Sequence, residues 1–152
     1  MIPLKKNFTY LILDDRGLMD GRGSGSKQYG ECGGYLLDTR VLSRYQWDLA
    51  NFSLMKTEYV GSRSIIQYFC RFEAHKQELL IKRELHVLDG GFKDILTITN
   101  DDIEAHSFSS ELVLDSDFVD MFEVRGHVFD DVKRNVEIQR EARRYQASYT
   151  EV

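Results

Sequence analysis

The chain lacks any apolar run near the ~18 residues that a bilayer-spanning helix needs, so no membrane partner is expected. No secretory leader is expected, since the stretch "MIPLKKNFTY" has no apolar core segment. Cysteine is scarce. Cys32 and Cys70 fall in no C-x-x-C and near no histidine at metal-ligand spacing, which leaves a zinc site without support. Two free thiols in a reducing compartment, the cytoplasm, are the expectation. Excess positive charge is missing too. The 20 basic and 25 acidic residues leave a net charge of −5, which argues against a general phosphate-backbone binder. No nucleic-acid partner is expected, and Arg140, Arg143 and Arg144 read as a solvated basic face.

Helical periodicity is also nearly absent, and a period of two takes its place. In "RVLSRYQWDL", Val41, Ser43, Tyr45, Trp47 and Leu49 share one face. In "SIIQYFCRF" the set is Ile66, Tyr68, Cys70 and Phe72. In "ELLIKRELHVL", Leu79, Ile81, Leu85 and Val87 share a side, with Arg83 the exception among them. "FSSELVLDSDF" sets Phe108, Leu112, Leu114 and Phe118 against Ser109, Glu111, Asp115 and Asp117. Such alternation marks half-buried strands. Turn signals separate them: "DDRG" after a first strand at Phe8–Leu13, "NFS", "VGSRS", Asp89-Gly90-Gly91 and "TNDD". "NVEIQREARRYQ" is ambiguous between helix and strand, with a strand continuing through "RRYQASYTEV" preferred. A chain of 152 residues suits one domain. The expected fold is an all-β antiparallel sandwich, with one short helical turn near 118–124.

The segment from Gly17 to Gly34 breaks the pattern with seven glycines and is expected to be a flexible loop outside the core. It is not a phosphate-binding loop, because Lys27 does not follow a glycine and no Ser or Thr follows it. A loop of this length is a contact surface or awaits a partner.

Catalytic chemistry finds little to stand on. Cys32 could meet His75, His86, His106 or His127 in space, yet no spacing requires it. Asp115 and Asp117 fall on one strand face at a separation a glycosidase could use, but Asp-x-Asp on a strand is more often structural. "DSDFVDMFEVRG" departs from a calcium loop, since it has no glycine at the sixth position. No metal or cofactor is expected. The stretch reads better as architecture: Asp117 as a helix cap, Asp120 in a first turn, Arg125 pairing a carboxylate, and Gly126 as the stop.

These residues carry a resemblance. "LDDRG", Gly34-Tyr35, Asp38-Thr39-Arg40, Leu42-Ser43, "IKRELHV", "LTITN" and the Asp115–Gly126 signature follow one another in order. The chain resembles the N-terminal domain of bacterial and archaeal glycogen debranching enzymes of the amylo-α-1,6-glucosidase type. The resemblance implies a supersandwich that packs on a C-terminal (α/α)-barrel. That barrel would carry the catalytic carboxylates, with α-glucan contacted in part by the sandwich. The glycine-rich insert departs from the pattern. The chain also stops at Val152 in what reads as mid-strand, so the domain is expected to be incomplete there. The polar set Asp38, Arg40, Asp117, Asp120 and Arg125 is expected to form a structural network. The rival reading is a free-standing carbohydrate-binding sandwich that stacks sugar on Tyr45, Trp47 and Tyr59.

Overall fold

The computed structural model describes residues 1–25, 27–73, 76–129, 134–142 and 144–151. His75 and Arg143, and with them part of the thiol–histidine and basic-face readings, lie outside the described residues. The fold is all-β, and every strand pairing is antiparallel.

A five-stranded sheet runs in the order β1 (Ile2–Lys6), β2 (Thr9–Leu13), β4 (Gly33–Leu36), β5 (Thr39–Leu42), β12 (Val119–Asp120). A four-stranded sheet has the order β10 (Gly91–Asn100), β9 (Lys76–Leu88), β8 (Ser64–Glu73), β7 (Ser53–Val60). A third sheet joins β11 (Leu112–Asp115), β6 (Arg44–Trp47) and β3 (Met19–Asp20). The hairpin β13 (Arg134–Glu141) and β14 (Arg144–Glu151) stands beside them.

All three larger sheets meet in one core. Ile2, Leu4, Leu11 and Leu13 come from the first sheet, Met19 and Tyr45 from the third, and Ile65, Leu85 and Val87 from the second. Burying each of these side chains stabilises the fold by roughly 1.5–3 kcal/mol. The opposite face of the five-stranded sheet is covered as well. There Tyr35, Val119 and Val124 form a second cluster, joined by Tyr10, Ile12, Tyr29 and Met121. That cluster seats the helical turn α1 (Met121–Val124).

The alternation of β9 is as the sequence states it: Leu79, Ile81, Leu85 and Val87 face inward, and Arg83 with them. Four expectations need correction. β8 turns the other way, with Ile65, Gln67 and Phe69 inward rather than Ile66, Tyr68 and Phe72, although Cys70 of the expected set is buried too. Both faces of "SIIQYFC" are apolar, so the pairing Ile65↔Leu85 and Phe69↔Ile81 with the clearly alternating β9 makes the choice. The run expected as a single strand from Val41 to Leu49 breaks at Ser43, where the chain leaves the first sheet for the third. Sandwiches close by such sheet-switching bends. The first strand is preceded by another, since β1 pairs with β2 around the turn at Asn7-Phe8. The glycine-rich segment is not outside the core: β3 lies within it, Met19 is fully buried, and Arg22 bridges Tyr29.

Candidate functional site

The corner after β11 is built round Arg40. This residue sits on β5 facing the second cluster, and its side chain is 0% exposed. Its Nε and Nη2 donate to Asp117 Oδ1 and Oδ2 at 3.1 and 2.5 Å, a two-bond fork. Nη1 donates to the carbonyls of Gly30 at 2.6 Å and Cys32 at 3.5 Å. The Tyr29 ring lies over the guanidinium, 5.5 Å from centroid to Cζ. Burial works against the charge of Arg40, but the Asp117 contact outweighs it and holds the group above its ordinary value.

This explains two of the glycines. A Cβ on Gly21 would stand 2.6 Å from Arg40 Nη1, and one on Gly33 would stand 2.6 Å from Arg40 Cδ. At these two positions the segment wraps a buried arginine so closely that only glycine fits.

Downstream, Phe118 adopts a left-handed φ of +53° and turns the chain into β12. Its ring stacks on Tyr149 at 4.6 Å, which ties the β13–β14 hairpin to the corner. Asp120 is the N-cap of α1: its carboxylate accepts from Phe122 N at 2.7 Å, and Glu123 accepts from Asp120 N at 3.0 Å. This is a reciprocal capping box. The expected cap at Asp117 is therefore corrected by three residues, because β12 lies between Asp117 and the helix. The Asp-x-x-Glu spacing of Asp120 and Glu123 was the signal for it. Gly126, at φ +96°, donates to Glu123 O, and His127 N donates to Phe122 O, a Schellman stop.

Arg125 was expected to clasp a carboxylate. It is exposed and has no ion pair among the described residues. Arg134 makes that clasp, with Nη1 and Nη2 donating to Glu123 at 3.1 and 2.6 Å. Burial pushes the Glu123 carboxyl up, but Arg134 and the Asp120 N–H together bring it below the ordinary range. Asp38 is exposed, and its carbonyl accepts from Met121 N at 2.7 Å. Asp115 ends β11 and bonds Ser116 N, while Asp117 lies past the strand, so the two carboxylates share no strand face.

A second polar centre lies in the main core. Arg83 and Asp94 have side chains 1% and 2% exposed and meet through Arg83 Nε at 3.0–3.1 Å. Arg83 Nη1 donates to Gly17 O at 2.7 Å and Gln67 Oε1 at 3.1 Å. Trp47 Nε1 donates to Asp94 Oδ2 at 3.3 Å. Burial, then the nearby Asp94, push the Tyr45 hydroxyl well above its ordinary value. Tyr45 is buried and packs edge-on against Phe92, and Trp47 packs against the same core. Tyr45 is therefore a core residue, while Trp47 is half-buried with its indole N–H on Asp94 and Tyr59, on β7, is 64% exposed. Among the described residues, no cluster of His, Cys, Asp and Glu is arranged to hold a metal ion. No described helix is long and apolar enough to cross a membrane.

A cleft of about 820 Å³ opens beside the Arg40 corner, between residues 27–31 of the glycine-rich segment and the walls formed by α1 and β13.

The fold and this corner define an antiparallel β-sandwich domain built round two buried arginines, each paired with a carboxylate. Residues 4–152 match the model of one family, the N-terminal domain of (some) glycogen debranching enzymes, and the chain belongs to it. No curated protein sequence matches the chain.

Proposed function

We propose that the chain is the non-catalytic N-terminal module of a glycogen-debranching-type glycoside hydrolase. It supports a C-terminal (α/α)-barrel that carries the catalytic acids, and it contacts α-glucan. The observation that carries this reading is the use made of the signature's side chains. Asp117 is engaged by Arg40, Asp120 caps α1, and Glu123 holds Arg134. Carboxylates committed to arginine and backbone are poor general acids or nucleophiles, which need an open face toward substrate.

The partner domain has a natural seat. The turns Asn7-Phe8 and Leu37-Asp38 are neighbours, since Leu37 N donates to Phe8 O, and α1 adjoins them through Asp38 O. Phe8, Leu37 and Phe122 are 64%, 57% and 50% exposed there. Leu37 holds φ +54°, a conformation unfavourable for leucine. Exposed apolar tips of this kind are suited to burial against another domain. Cys32 and Cys70, neither of them in a disulfide, accord with a reducing cytoplasm.

The test is co-purification of this chain with the separately expressed C-terminal region of a debranching enzyme bearing the domain. A stable complex is expected, weakened about tenfold or more by Leu37→Asp with Phe8→Asp, which buries charge at an apolar contact. The chain alone should release no glucose from a branched dextrin. Failure to associate, or glucose release, overturns the reading.

A further inference from the structure

The reading above leaves open where a glucan would lie; of the aromatics named as stacking candidates, Tyr45 is buried and Trp47 is half-buried with its indole N–H on Asp94. The cleft beside Arg40 offers another place. Tyr29 and Phe129 line it. Tyr29 is anchored in the second cluster, and Arg40 lies against its ring, so its orientation is fixed before any ligand arrives. Phe129 is 47% exposed, an apolar ring left in water.

The charges around the cleft are balanced and mostly spoken for. Glu31 has Lys27 at 3.8 Å, Asp117 has Arg40, and Glu123 has Arg134. A charged ligand would have to displace one of these pairs. A neutral, hydroxyl-rich ligand would not: paired carboxylates keep spare acceptor positions, and Arg125 brings a planar set of donors with no ion-pair partner among the described residues. Aromatic rings together with planar polar groups suit the flat, apolar faces and equatorial hydroxyls of pyranose rings. The volume, about 820 Å³, falls in the ordinary range of ligand sites.

We propose that this cleft binds a neutral α-glucan chain, with sugar rings lying on Tyr29 and Phe129 and hydroxyls bonded by Arg125. The proposal rests on the glucan-contact part of the functional reading and gives it a location. The three walls come from the glycine-rich segment, α1 and β13, which also gives the insert a role beyond enclosing Arg40.

The test uses the 152-residue chain, titrated with maltohexaose and run through gels containing glycogen. Binding is expected, weakened about tenfold in Tyr29→Ala and in Phe129→Ala, as befits the loss of one ring contact. Arg125→Gln, at an exposed position that no described ion pair needs, should weaken binding without moving the unfolding midpoint. That variant keeps the test independent of folding defects at Tyr29. Binding by the unaltered chain that survives all three substitutions overturns the cleft and leaves glucan contact to another surface. Loss of binding on Tyr59→Ala alone would place that surface on β7. No binding, or binding of inorganic phosphate in preference to maltohexaose, overturns both the cleft and the glucan contact. The support role is read separately, by co-purification.

Discussion

Arg40 and Asp117 lie 77 positions apart and meet in a partly buried fork. Arg40 has no exposure at all, so its charge depends on Asp117 for compensation. Removing one member of such a pair leaves a buried charge, at a cost of about 3–5 kcal/mol in a dry interior. Asp117 keeps 27% of its side chain exposed, so water can take part of its place. Asp117→Ala is therefore expected to destabilise by about 2–3 kcal/mol, toward or below the lower end of that range. Urea denaturation followed by tryptophan emission would measure it. A loss under about 0.5 kcal/mol, the level of an exposed pair, would mean Arg40 finds other compensation. Arg125, its expected counterpart in the same stretch, lacks any such burial and should tolerate replacement.

At the scale of elements, α1 shows how few residues can define a helical turn. Four residues are too short to form by propensity alone. Asp120 and Glu123 cap the start, and Gly126 with its left-handed φ ends it. Apolar Val124 anchors the turn to the second cluster. Asp120→Ala removes the cap and should cost about 1 kcal/mol, while Asp120→Asn, which caps equally well, should be near neutral. Faster amide exchange at Phe122 in the alanine variant would report the same loss locally. Equal effects of alanine and asparagine would show that the carboxylate acts other than as a cap. β8 and β9 make the complementary point: β9 imposes its alternation on a neighbour whose own sequence permits either face.

At the scale of the whole molecule, one charge pair lies where the four-stranded sheet meets the three-stranded one. Arg83 on β9 and Asp94 on β10 bond to each other, to Trp47 on β6, and to Gln67 on β8. Arg83 Nη2 is buried without a hydrogen-bond partner among the described residues. Such a pair is weak evidence for stability, because desolvating two charges offsets most of their attraction. Arg83→Met alone strands Asp94 and should cost about 3–5 kcal/mol. Arg83→Met with Asp94→Leu should recover most of that loss, as apolar replacements of buried pairs often do. A double-mutant cycle in urea would show it, and additive losses would contradict a closed pair.

The sequence by itself determined the class of fold, most turns and the inward face of β9, because period-two alternation and glycine turns are local signals. It also determined that a helical turn falls near 118–124 and stops at Gly126, and it carried the family signature. Only the tertiary structure decided which face of β8 is buried, where the run through Ser43 changes sheets, and which arginine meets which carboxylate. Arg83 was visible as a charge on an apolar face, and the register of the Asp89-Gly90 hairpin sets Asp94 diagonally across from it. Arg134 gave no local sign of its pairing with Glu123. Long-range partners are chosen by packing, not by neighbours in the chain. The glycine-rich segment is the plainest case: its composition looked like looseness, and two of its glycines, Gly21 and Gly33, are held to glycine by the buried side chain of Arg40 that it encloses.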